Sequence, residues 1–314
     1  MRLGLGLAAL GRPGYLNLDH AGDLGGDYAV DEMERRCHAV LDAALAAGVR
    51  HVDVARSYGR AEQFLADWLR ARALAPGALT ISSKWGYTYT AKWRAQAEIH
   101  EVKDHTLPTL ERQLAESRAL LGDHLSIYQI HSATRESGVL DDDAVLDELA
   151  RVRAGGLAIG VTVTGPAQAE TIRRALAIRR DGVPLFSWIH ATWNVFERGA
   201  EAALAEAKAE GRQVIVKEAL ANGRLTAKNH APEAAPLFGL AEKIGATPDA
   251  LALAFALAQP GAHVVLSGAA TALQFASNFG ATSLVLDEET RVAIDSLRQT
   301  SAQYWSTRAQ LAWS

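Results

Sequence analysis

The chain has 314 residues, 49% of them hydrophobic and 22% charged, with a formal net charge of −4. This is ordinary globular composition, and it excludes a broad nucleic-acid footprint or a polybasic membrane surface. A single cysteine, Cys37, excludes an internal disulfide framework, an iron–sulfur cluster on the chain's own thiolates and a Cys-rich zinc site.

That cysteine usage fits a reducing, cytoplasmic compartment. No apolar run approaches the ~20 residues of a membrane span. No linker rich in Ser, Gly or Pro divides the sequence, so one domain over residues 1–314 is expected. The opening MRLGLGLAALGRPG is broken by Gly4 and Gly6 and lacks a clean small-x-small cleavage site. It reads as a first strand and its loop rather than a secretory leader.

Short, mostly apolar runs recur at 2–7, 50–54, 79–84, 125–131, 158–163, 186–191, 213–218 and 263–267. Such runs suit parallel strands buried on both faces. Asp31 is placed to cap a helix running to Ala47, which Gly48 stops. Pro108 marks the first turn of a helix ending at Gly122, and Pro166 that of a helix over 167–180. Thr247-Pro248 opens a helix over 249–258, with Pro260-Gly261 beyond it. Spacings of about 25–45 residues leave room for a strand, a helix and two loops. Eight such units without a break in composition predict an α/β chain closed as a (β/α)8 TIM barrel. An open doubly wound sheet shares the local pattern but divides into two halves. The aromatic tail from Tyr304-Trp305 to Trp313 is expected to pack on the body.

Several motifs fail on context. GLGLAALG contains a G-x-G-x-x-A run, but only three residues precede it and Gly11-Arg12-Pro13-Gly14 breaks any helix at once. His100 and His105 are five apart, so they do not stack on one helix face as zinc ligands would. No G-x-S-x-G elbow or P-loop occurs.

Catalytic side chains of such a barrel sit at the C-terminal strand ends and in the loops beyond. Those positions carry Asp53 and then Tyr58 after the second run, Lys84 at the end of the third and His131 at the end of the fourth. Singly, each has a structural explanation: an ion pair, a loop tyrosine, a core histidine. Together, at three consecutive strand ends, they form equipment for protonating an oxygen. A Lys84 ammonium would stabilise phenolate and lower the pKa of Tyr58, Asp53 would keep Lys84 charged, and His131 would donate to a substrate oxygen. The chain offers no obvious nucleophile for the carbon, so a hydride-delivering cofactor is the natural partner.

At these residues the sequence resembles the aldo-keto reductases, whose catalytic tetrad matches Asp53 in HVDVARSYG, Tyr58, Lys84 in ISSKWG and His131 in IYQIHS. The likeness covers nearly the whole chain. YGRAE with Glu62, ALANGRL with Leu220, Asn222, Gly223 and Arg224, and SGAATALQFASN with Gly268, Ala270, Gln274 and Asn278 resemble family segments. It implies a nicotinamide cofactor across the barrel mouth, NADP by family habit with NAD as the alternative, and a small carbonyl or alcohol substrate. It also implies that Tyr58 protonates the carbonyl oxygen as hydride reaches its carbon. Thr162, His190 and Lys217 then fall on cofactor positions, although the family usually has Ser-Asn, glutamine and an aromatic residue or arginine there. The sequence starts at the first barrel strand, leaving little room for the hairpin that often plugs the barrel bottom. Trp85, Tyr87 and Trp193 are candidate substrate contacts, suited to flat or ring-shaped compounds such as sugars or aromatic carbonyls. Two other readings stay open: a Schiff-base lyase using Lys84 or Lys217, and a non-catalytic barrel that binds the cofactor.

Overall fold

Strands that are apolar on both faces must be covered on both, and closure into a barrel ringed by helices does this without leaving an edge. The computed structural model describes residues 1–313. Eight parallel strands, β1 (Leu3–Gly6), β2 (His51–Asp53), β3 (Thr80–Trp85), β4 (Leu125–Ala133), β5 (Ala158–Val163), β6 (Trp188–Thr192), β7 (Gln213–Lys217) and β8 (Val264–Ser267), close in the order β1-β8-β7-β6-β5-β4-β3-β2. Each of the eight predicted runs supplies one strand. The outer helices present one apolar stripe each. Val30–Ala46, for example, buries Met33, Cys37, Val40, Leu41 and Ala44, positions repeating at three and four residues.

The structure corrects two local expectations. The first long helix starts at Val30, so Asp31 lies in its first turn, beside the positive end of the dipole, rather than capping it. The helix expected to run to Arg180 spans Gln168–Ala177. Ile178 turns extended, and Arg179–Arg180 pairs antiparallel with Val183–Pro184 around Gly182 at φ 71°. Arg180 is held there by ion pairs to Asp143 and Asp147, both 2.6 Å, partners that periodicity does not reveal. The helix Leu107–Leu121 ends at its cap Gly122, as expected, and a 3-10 turn over Gly122–His124 follows.

Side chains alternate along each strand, so residues two apart point to the same side. Inside the barrel, Ile215, Val264 and Leu266 form a small apolar cluster with Trp188. Gly4 and Gly160 make room beside it: a Cβ on Gly4 would lie 2.7 Å from Val264 Cγ1, and one on Gly160 2.8 Å from Gln129 Cγ. One step further toward the C-terminal ends, the inward positions become polar, with Asp53, Lys84, His131, Thr162, His190 and Lys217. Among the described residues no helix is long and apolar enough to cross a membrane.

The loop after β1 packs directly on the loop after β2. Arg60 N donates to Gly11 O at 2.7 Å, and a Cβ on Gly11 would lie 2.2 Å from the Tyr58 carbonyl oxygen. Backbone cannot yield as a flexible side chain can. Gly11→Ala is therefore expected to cost about 1–3 kcal/mol in urea unfolding.

Candidate active site

The register of β2 against β3 pairs Asp53 with Ser82, so Lys84, two residues on, points to the same interior side. Its ammonium is bonded to Asp53 Oδ2 and donates to the Val54 carbonyl at 2.8 Å. Ser82 Oγ donates to Asp53 Oδ1 at 2.7 Å, and Gln129 Nε2 reaches the same oxygen at 3.4 Å. The carboxylate is thus buried but fully engaged. Tyr58, on the loop after β2, lies with its ring centroid 4.7 Å from Lys84 Nζ and 5.5 Å from the His131 ring, edge to face. His131 owes its aim to an irregularity: the β4–β5 register slips between Ile130 and Ala133, and Ser132 sits at φ 56°. Ser132 N donates to Thr162 Oγ1 at 2.6 Å, and His105 Nε2 donates to the His131 carbonyl at 2.9 Å.

Burial decides the protonation states. It holds the Tyr58 phenol well above its ordinary 10, and the Asp53 charge adds to the effect. The net shift of Tyr58 is therefore upward, where the sequence led us to expect a lowered value. With its charge matched by Asp53, the lysine does not offset the desolvation of a phenolate. Burial also lowers Lys84, against the pull of Asp53. His131 is driven well below 6.5 by burial first and then by Lys84 and Lys217, so its imidazole is neutral. Both Tyr58 and His131 therefore carry protons to donate at neutral pH, and no hydrogen bond engages the Tyr58 hydroxyl among the described residues.

These groups form one wall of a cavity of about 670 Å³ at the barrel mouth. Along that wall His131 Nδ1, both nitrogens of His190 and Asn222 Oδ1 are buried without hydrogen-bond partners among the described residues. Unsatisfied buried polar atoms on residues that border one cavity mark it as a polar site.

Residues 2–299 match the profile of the Aldo/keto reductase family. The chain belongs to the aldo/keto reductase family. It is 25% identical to the aldo-keto reductase str7 of Strobilurus tenacellus, over 95% of this chain and 88% of the relative. It is 24% identical to the protein tas of Escherichia coli, over 87% and 92% respectively. Its fold matches that of an aldo-keto reductase from Bacillus halodurans in its holo form, with a TM-score of 0.70 at 20% identity, covering 95% of this chain and 92% of the other.

Within this aldo/keto reductase the cavity is bordered by Thr162, His190, Lys217, Leu220, Asn222, Gly223, Gly268, Gln274 and Asn278. Ala270 lies beside it, its amide donating to Gln274 Oε1 at 2.8 Å. Arg224 does not face it. That side chain is buried, pairs with Glu233 at 3.1 Å and lies 4.9 Å over the Phe196 ring, so it is not available to a phosphate. Of the three aromatic candidates for substrate, only Tyr87 lines the cavity, 4.9 Å from the His131 ring. Trp85 is buried against His105, and Trp193 stacks on Phe255 at 5.1 Å. Both rings fill core, where apolar area is worth most.

Sequence reasoning missed Arg12 and Arg308, and expected the tail that carries Trp313 to pack on the body. Arg12 lies 5.2 Å over Tyr58 and 4.9 Å over Trp313, and pairs with Glu101 at 2.7 Å. Trp313 brings the chain's C-terminal end to the cavity and stacks on His100 at 4.2 Å. Arg308, from the helix Ser301–Ala309, clamps Glu218 through two bonds of 2.9 and 2.6 Å. Glu218 itself sits at φ 54° just past β7 and lies 3.7 Å from Lys217 Nζ. A lone arginine between Gly11 and Pro13 was the only sequence cue to Arg12; nothing local marked Arg308.

Two measurements test this account. Lys84→Met leaves Asp53 buried and uncompensated, and is expected to destabilise the fold by about 3–5 kcal/mol in urea titration. Burial works to raise the Glu218 pKa, but Arg308 and Lys217 outweigh it and bring it to about 2. A carboxylate lowered on folding contributes stability above its unfolded value and loses it as pH falls through the folded one. Thermal unfolding across acid pH is therefore expected to show a stability loss between about pH 4.5 and 2 that Glu218→Gln flattens.

Proposed function

We propose that this aldo/keto reductase reduces the carbonyl of a small aldehyde or ketone, or oxidises the matching alcohol, with a nicotinamide dinucleotide. The observation that carries the reading is the unengaged, protonated Tyr58 hydroxyl, set between the Lys84–Asp53 pair and the His131 edge on the cavity wall.

The cavity residues fit such a cofactor. Thr162, His190 and Asn222 offer polar groups, two of them with orphaned atoms, and Gly268 borders open space without a side chain. When bound, the nicotinamide supplies or accepts the hydride. The chain's own residues handle the proton. Tyr58 Oη gives its proton to the substrate oxygen as negative charge develops there. Lys84 stabilises the phenolate left behind, and Asp53 keeps that ammonium in place. The neutral His131 donates a second hydrogen bond to the same oxygen. Arg12, Tyr87 and Trp313 surround this end with flat faces, which suits a ring-shaped substrate such as a sugar or an aromatic carbonyl. A chain with one cysteine, Cys37, unpaired, supports a reducing, cytoplasmic compartment for the reaction.

One observation favours a second reading. Burial brings Lys217 down to about 8, against the charge of Glu218, so part of it is a neutral amine near physiological pH. A Schiff-base lyase using Lys217 would leave substrate attached to that lysine after borohydride treatment.

The deciding experiment follows nucleotide absorbance against a carbonyl panel. Tyr58→Phe is expected to lower kcat by about 10²–10⁴-fold while nucleotide affinity stays nearly unchanged. A Phe variant with normal turnover removes Tyr58 from its role, and covalent trapping on Lys217 without nucleotide oxidation favours the lyase.

A further inference from the structure

We propose that the end of the cavity remote from Tyr58 selects a dinucleotide with a free ribose 2′-hydroxyl, NAD(H) rather than NADP(H). The inference rests on the proposed function and deepens it. Hydride transfer requires the nicotinamide at the Tyr58 end, so the adenosine half must occupy the other end.

The cavity leaves the barrel axis between the loop after β7 and the helix Ala272–Phe279, and its lining reaches Ser277 and Asp249. Asp249 lies in the first turn of the neighbouring helix Pro248–Ala258, whose cap Thr247 meets Ser277 through their hydroxyls at 3.1 Å.

The charges at that end decide the matter. Lys228 is the cation there among the described residues that line the cavity, and it is already taken. Its ammonium pairs with the nearly buried Asp23 and donates to the Asp19 carbonyl at 3.2 Å. Gln274 Nε2 donates to the same oxygen of the Asp23 carboxylate. Asp249 has no hydrogen-bond or ion-pair partner among the described residues. Arg224, the other basic residue that the sequence offered, is turned into the core.

Two carboxylates therefore face one matched ammonium. A 2′-phosphate would bring about −1.5 to −2 further charges to this end and find no unpaired cation. A ribose diol instead brings hydroxyl donors, and an unpartnered carboxylate such as Asp249 is the group that accepts from them.

The test is a titration of the full chain's intrinsic fluorescence with NADH and NADPH, at low and at raised ionic strength. NADH is expected to bind at least about tenfold more tightly than NADPH, with the gap narrowing as salt screens the repulsion. In Asp249→Asn the gap should shrink because NADPH binds more tightly while NADH does not. Equal or tighter binding of NADPH by the wild type overturns the inference but leaves the oxidoreductase reading standing. An unchanged ratio in Asp249→Asn likewise overturns it. Binding of neither nucleotide overturns the oxidoreductase reading itself, and the inference falls with it.

Discussion

A buried ion pair between Asp53 and Lys84 is the constraint around which the barrel mouth is arranged. Two charges removed from water are tolerated only when each remaining lone pair and proton finds a partner. The Val54 carbonyl, the Ser82 hydroxyl and the Gln129 amide supply those partners, from three adjacent strands. The pair thereby ties β2, β3 and β4 into one register. It also fixes a positive charge beside the Tyr58 ring, and the loop carrying that ring is seated on Gly11 where no side chain would fit.

Around this pair, desolvation rather than charge sets the resting state. Tyr58 is kept neutral although Lys84 lies over its ring, and His131 is kept neutral by burial with Lys84 and Lys217 acting in the same direction. A site arranged in this way holds its donors ready and places stabilising charge where it is needed only once the proton has moved. The C-terminal helix takes part in the same economy. Arg308 charges and orients Glu218, which neighbours Lys217 across the floor of the cavity. The far end is closed by a second set of polar links, from Asp23 to Lys228 and Gln274.

Most of the fold was legible because strand and helix periods are local. Eight apolar runs separated by helix-length segments leave few alternatives to a closed barrel, and the strands fall where those runs lie. The cluster of four side chains at the mouth was legible for a related reason. In this architecture functional groups are confined to strand ends, so Asp53, Tyr58, Lys84 and His131 could be read from position and residue type together. The misjudged positions are ones where neighbours distant in sequence decide. Arg224, in a segment that resembles the family's cofactor loop, is turned away from the cavity toward Glu233 and the Phe196 face. Trp85 and Trp193 looked like pocket walls, but burial area draws large rings into the core. The helix after β5 was read too long because Arg180 is held in a short hairpin by carboxylates more than thirty residues away.

The sequence by itself determined the architecture, the four groups that meet at its mouth and their chemical kinds, because alternation and strand-end position are properties of contiguous residues. Only the tertiary structure decided their protonation and the identity of their neighbours. Desolvation depends on everything packed around a group, and the charges that bear on Tyr58 — Arg12, Asp53, Glu101, Glu218 — arrive from widely separated parts of the chain.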